Sequence, residues 1–273
     1  MEIIKDELYK LFSNIVLYPV VLIFTAAYAY TTNSYYMNNK TISFERMISF
    51  PYKAGSVFIG ALIILMLSNV FTGEYNMHTD SIILCTKNGR KNIVTCKIIS
   101  SIIFIVILNT FFYVFNFIIN CKYAGIDGYM YPIQKLISYK SSPYNFTCLQ
   151  YYIIEYFIST LASIAFAIFI LFLSVINKSI LSVLFTGSLV FIIPYFIHDI
   201  PLSSIKKLDI TWIMKNLFYT DFMRVRNLFN RLRIYNIFGV NIEHKNIIYI
   251  FMAFVSAVFL YAIYDRFKKL EVS

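Results

Sequence analysis

The strongest constraint on this chain is a set of long apolar runs, each near the length of a bilayer-crossing helix and almost free of charge. About twenty residues at 1.5 Å each span the ~30 Å hydrocarbon core of a membrane. Six such runs lie at about 15–32, 54–72, 98–120, 150–176, 180–200 and 246–264. They are continuous rather than alternating, which excludes barrel strands and leaves helices, whose backbone groups are bonded within the segment. The composition agrees: 59% hydrophobic, 19% aromatic and 14% charged residues lie far from the soluble globular range. The expectation is an all-α polytopic membrane protein with six transmembrane helices. With no internal repeat and no low-complexity linker, residues 1–273 form a single transmembrane domain. Glu2, Asp6 and Glu7 precede the first run and no small-residue cleavage site follows it, so it is not read as a signal peptide.

An even number of spans puts both termini on one side. With the termini in the cytoplasm, ten Lys and Arg fall in short cytoplasmic loops and tails, and fourteen fall outside, eight of them in the long segment 201–245. The positive-inside rule weights short loops and span ends, so it leans toward cytoplasmic termini. The net charge of +10 is dispersed among membrane-adjacent segments, which argues against nucleic-acid binding.

The flanking segments carry their own patterns. Ile4, Leu8, Leu11, Phe12 and Ile15 fall at helical spacing, with Glu2, Lys5, Asp6 and Lys10 elsewhere on the wheel. That pattern predicts an N-terminal amphipathic helix lying in the membrane interface, or a plain extension of the first span. Phe50-Pro51-Tyr52 reads as an aromatic anchor, and Tyr123, Tyr129, Tyr131, Tyr139 and Tyr144 make 121–149 a segment expected among headgroups. Asn177-Lys178-Ser179 joins the fourth and fifth spans as a tight helical hairpin. In 201–245, Phe218, Phe222, Val225, Phe229 and Leu232 form a helical stripe, with Arg224, Arg231 and Arg233 off it. This outer basic segment is read as a lid over the outer mouth, as a surface-lying helix, or as a sign that the topology is reversed.

Several chemistries find no support in the sequence. Ionisable residues are scarce inside the spans: Glu155 is near the start of the fourth, and His198 and Asp199 end the fifth. That scarcity argues against an ion-driven carrier. His78, His198 and His244 show no zinc-binding spacing, no Walker-type glycine loop occurs, and no paired aspartates suggest an intramembrane protease. No catalytic, metal or cofactor residue is therefore nominated. Cys85 and Cys96 lie in a cytoplasmic loop, while Cys121 and Cys148 bracket an outer one and either pair or remain free thiols.

The polar loop from Gly73 to Lys97 is the most specific stretch. Asp80 beside Ile82, Ile83 and Leu84 offers an apolar anchor with a charged rim, suited to docking a partner. Asn88-Gly89 permits a tight reversal, and Lys87, Arg90, Lys91 and Lys97 hold the loop at an anionic surface. Glu74, at the junction of span and loop, has Arg90 or Lys97 as a candidate partner. The plain alternative is a set of ordinary cytoplasmic loop charges.

This loop resembles that of the type II ABC (ATP-binding cassette) exporter permeases. Their pattern after the second span is a Glu, a Gly-Thr pair, an apolar pair, a Pro, a Ser-Arg pair and a Lys opening the third span. Glu74, Thr79, Ile83-Leu84, Arg90 and Lys97 fill the matching positions, with Lys97 23 residues after Glu74. His78 stands where Gly is usual, Lys87 where Pro is usual, and Gly89 where Ser is usual. The match covers about 25 residues, and elsewhere the likeness is architectural. The resemblance implies a cytoplasmic coupling helix between spans two and three that docks on a separate ABC ATPase subunit, which holds the ATP and Mg. On that basis Glu74, Thr79, Asp80, Ile83, Leu84, Asn88, Gly89, Arg90 and Lys97 are the expected coupling residues.

The implied protein is a non-enzymatic permease subunit in a bacterial cytoplasmic membrane. It would pair with a second copy or a related permease and export an amphipathic peptide or lipid-like compound along a path lined by spans one, two and five. A competing reading is a membrane-resident immunity or sensor protein that binds a toxic peptide at 201–245 without transporting it.

Overall fold

The computed structural model describes residues 2–38, 43–76, 89–126, 128–199, 219–223, 225–230, 232, 234–237 and 240–269. Helix α1 (Glu2–Phe12) carries the N-terminal apolar stripe and ends at Ser13-Asn14. There the Asn14 side-chain oxygen accepts the Val16 N–H at 3.0 Å, a local turn that competes with helix continuation. Helix α2 (Leu17–Asn38) then departs at 58° to α1. After α3 (Ser43–Ile48) and a π-helical turn at Pro51–Gly55 come α4 (Ser56–Leu67) and α5 (Asn69–Asn76). Helix α6 (Gly89–Ala124) is the longest.

Two 3-10 turns, Ile133–Lys135 and Ile137–Tyr139, lead to α7 (Cys148–Ile176). A reciprocal cap starts α7: the Gln150 N–H donates to Thr147 Oγ1 and the Thr147 N–H to Gln150 Oε1. After 177–179 comes α8 (Ile180–Asp199). Two short helices, α9 (Tyr219–Met223) and α10 (Arg226–Phe229), precede an antiparallel hairpin of β1 (Ile234–Ile237) and β2 (Val240–Glu243). Helix α11 (His244–Lys269) ends the described chain.

Four segments are long and apolar enough to cross a membrane: Ser56–Glu74, Asn92–Ala124, Cys148–Ile176 and His244–Phe267. They coincide with the second, third, fourth and sixth apolar runs. The first run is part of the bent pair α1–α2, which makes a fifth crossing if counted as one broken span. The fifth run forms α8, whose apolar stretch Ile180–Pro194 is shorter than a full crossing and carries Pro194 inside the helix. The chain is a helical membrane-embedded protein, with one small antiparallel strand pair among the described residues.

Burial ranks the helices. The apolar windows of Ser56–Glu74 and of α7 are each 61% buried, whereas that of α11 is 11% buried. Helix α7 is thus the central post, packed against α4, α6, α8, α9 and α11. Small residues permit the closest approaches: a Cβ at Gly60 would sit 2.2 Å from Phe191 Cε2, and one at Gly187 2.9 Å from Ile170 Cδ1. At Ser68, between α4 and α5, the helix is interrupted. The N–H groups of Phe71 and Thr72 donate to Ser174 Oγ at 3.1 and 3.2 Å, and that hydroxyl donates to the Ser68 carbonyl at 3.1 Å. A side chain on α7 thereby completes the backbone of its neighbour.

Two polar layers bracket the apolar core. One centres on Lys97. The other centres on Asn116, whose side-chain amide donates to the Met47 carbonyl (3.1 Å) and Tyr152 hydroxyl (2.9 Å) and whose oxygen accepts from Tyr28 (2.6 Å) and Asn120 (2.8 Å). Nineteen residues of α6 separate the two centres, about 28 Å at 1.5 Å per residue. That spacing matches the ~30 Å hydrocarbon thickness.

The segments around 43–55, 121–149 and 219–232 depart in part from the sequence reading. Phe50 and Tyr139 are buried, so neither is a headgroup anchor, whereas Tyr123, Tyr129 and Tyr131 are exposed as expected. Tyr139 donates to the Tyr151 hydroxyl at 2.9 Å, and Phe229 packs on Tyr151 with ring centres 5.6 Å apart. The stripe expected over 218–232 is two short helices rather than one long one. Phe222, Val225 and Phe229 are buried, but Leu232 is exposed. Ser142 Oγ donates to the Phe229 carbonyl at 2.7 Å, and Tyr219 stacks on Phe166 at 4.2 Å. The described residues of 219–229, which form α9 and α10, are therefore a lid seated on α7. Cys96, Cys121 and Cys148 are free thiols.

Candidate functional site

The polar layer at the loop end of the bundle is built around one lysine. Lys97, on the second turn of the apolar part of α6, is 2% exposed. A charge taken out of water at that depth is retained only with close compensation. Lys97 Nζ donates to Glu7 Oε2 at 2.9 Å and to Glu74 Oε1 at 2.7 Å, and a third contact reaches the Val70 carbonyl at 3.2 Å. All three ammonium hydrogens are thus used. Lys10, largely exposed, bonds the other Glu7 oxygen at 2.6 Å. The four charges sum to zero.

Each partner arrives on a different element. Glu7 lies on α1, which packs along α6, Glu74 lies on α5 at the end of the second span, and Lys97 lies on α6. The Phe71 ring, 5.8 Å from Lys97 Nζ, meets Phe267 of α11 at 5.2 Å. Thr95 Oγ1 and Tyr264 OH, 3.0 Å apart, add a second link to α11. Burial pushes the Glu7 carboxyl up, but Lys97 and Lys10 outweigh it, so the group sits below its usual range. Beside the triad is a cavity of about 500 Å³ bordered by Lys10, Asn14, Asn69 and Ser100.

The expected coupling residues divide into three groups. Glu74 and Lys97 are brought together as a buried ion pair, one of the two pairings the sequence allowed. Gly89 and Arg90 open α6 as helix rather than as a turn and loop, so the helix begins well before the third apolar run. The Arg90 side chain, and all of Thr79, Asp80, Ile83, Leu84 and Asn88, lie outside the described residues. The outer basic residues Arg224, Arg231 and Arg233 also lie outside them.

Glu7 was missed as a site residue, yet its signal is present. It sits at i+3 from Ile4 and i−4 from Leu11, within the apolar stripe of α1, where a carboxylate requires a partner. The Asn109, Asn116 and Asn120 series on one face of α6, all buried, is a comparable signal for the second polar layer.

Chemically, the triad is a fastener. Among the described residues no group of three His, Cys, Asp or Glu side chains could hold a metal ion. What the geometry does is fix both ends of the polar loop, through Glu74 and Lys97, to each other and to α1. No protein-family model and no curated protein matches the chain.

Proposed function

We propose that the chain is the transmembrane permease subunit of an ATP-driven ABC exporter, with the loop between Glu74 and Lys97 serving as the docking element for a separate ATPase. One observation carries this reading: the Glu74–Lys97 ion pair, buried and shared with Glu7, clamps the two ends of the loop to three helices. A loop held this way passes a push from a bound partner into the second and third spans and α1 rather than absorbing it. The motif matches at Glu74, Arg90 and Lys97 support the same assignment.

On this reading α2 and α8 both cross the bilayer, giving six spans, with α1 in the interface and both termini in the cytoplasm of a bacterium. ATP and Mg belong to the partner, and this chain performs no hydrolysis. A second permease copy or a relative completes the path, and the charge-poor spans fit an amphipathic peptide or lipid-like cargo.

The test is a mild-detergent purification of the tagged chain from its native membrane, with identification of co-eluting proteins and an ATPase assay. A stoichiometric nucleotide-binding partner is expected, released or uncoupled by Glu74→Ala or Arg90→Glu. A chain that elutes alone without ATP hydrolysis, under conditions that keep other complexes intact, overturns the assignment.

A further inference from the structure

Glu155 stands apart from both polar layers' bonded networks. It lies within the α7 span, is 0% exposed, and neither of its carboxyl oxygens has a hydrogen-bond partner. Its surroundings are phenolic. Tyr113 of α6 donates to the Glu155 backbone carbonyl at 3.4 Å, while the Tyr139 hydroxyl bonds Tyr151 at 2.9 Å and the Tyr152 hydroxyl bonds the Tyr113 carbonyl at 2.8 Å rather than the carboxyl. Of the titratable groups on the lid, Tyr219 of α9 stacks on Phe166 of α7 at 4.2 Å and Arg226 of α10 acts on Tyr139. Among the described residues no cationic side chain faces the carboxyl.

A carboxylate with no counter-charge and no donor is not sustained in such a place, whereas a neutral acid is. An apolar side chain of similar size would fill the space without that cost. We propose that Glu155 is a proton-binding site, held as the neutral acid beneath the 219–229 lid and surrendering its proton only when the lid lifts or α6 and α7 part. The step is one acid–base exchange: the O–H bond of the carboxylic acid breaks, its electron pair stays on the carboxylate, and the proton passes to entering water. Phe229 packs on Tyr151, one turn before Glu155, and Met223 meets Ser163, two turns after it, so the lid lies along this stretch of α7, and the closed packing and the bound proton stabilise each other. This inference does not depend on the exporter reading.

The experiment is infrared spectroscopy of the full chain in lipid nanodiscs, titrated from neutral to alkaline pH, with hydrogen exchange at 219–230 measured in parallel. At neutral pH the wild type should show the C=O stretch of a protonated carboxylic acid, absent from Glu155→Gln. As that band is lost on raising pH, lid exchange corrected for its intrinsic base-catalysed increase should rise in the wild type and stay flat in Glu155→Gln. If Glu155→Gln does not fold, Glu155→Asp should retain the band at a shifted frequency. The proposal fails if no such band exists at neutral pH, if the band persists in Glu155→Gln, or if lid exchange ignores the loss of the proton.

Discussion

Replacing Lys97 with methionine tests the account of the charged triad directly. The substitution keeps most of the side-chain volume but removes the ammonium that Glu7 and Glu74 approach at 2.9 and 2.7 Å. Two carboxylates then face each other with Lys10 alone nearby, and Lys10 is too exposed to compensate both. Removing one partner of a buried pair costs about 3–5 kcal/mol, chiefly because the other charge is left uncompensated. For a chain of this size that corresponds to a fall in Tm of roughly 10 °C. The assay is thermal unfolding in detergent, read as the loss of the monodisperse elution peak. The triple change Lys97→Met, Glu7→Gln and Glu74→Gln should recover most of the loss, because it leaves no unpaired buried charge, Lys10 being exposed. A Lys97→Met protein melting within about 2 °C of wild type, the shift expected for ~1 kcal/mol, would show that the triad contributes little and refute the fastener account.

Two further outcomes follow. Glu7 sits below its usual value near 4.5, so its contribution is present above that pH and lost as pH falls through the lowered value. The acid limb of the Tm–pH curve should therefore be shallower in Glu7→Gln than in wild type, and parallel limbs would contradict the assignment. Gly60→Ala places a methyl 2.2 Å from the Phe191 ring and should cost about 1–3 kcal/mol through overpacking, measurable by the same unfolding assay. Adding Phe191→Leu should restore part of it, and equal losses in the single and double variants would exclude the clash as the cause.

The apolar spans were legible because hydrophobic length is a long-range average that single residues barely disturb. The breaks were not, because each depends on one local contact. Asn14 ends α1 through its own side chain, and a twenty-residue window averages across it. Of the tyrosines of 121–149, Tyr139 departs from the expectation, and so does the helical stripe of 218–232, for a different reason. A tyrosine at a headgroup and a tyrosine under a lid look alike in composition, and only tertiary packing puts Tyr139 inside. The strands Ile234–Ile237 and Val240–Glu243 are rich in β-branched residues and separated by two residues, a signal outweighed by the helical periodicity just before them. In the candidate site, the Glu74–Lys97 pairing was among the stated options, whereas Glu7 required noticing a charge on the wrong face of α1.

The interruption at Ser68 also bears on how the protein is assembled. Ser174, which completes the backbone at Phe71 and Thr72, follows them by more than a hundred positions. During synthesis the second span therefore enters the bilayer long before the hydroxyl that satisfies its break exists. In hydrocarbon those groups must meanwhile bond within their own helix. The broken form of the second span is thus a product of association and not an intrinsic shape of that segment. It is acquired when α7 docks and supplies the Ser174 hydroxyl.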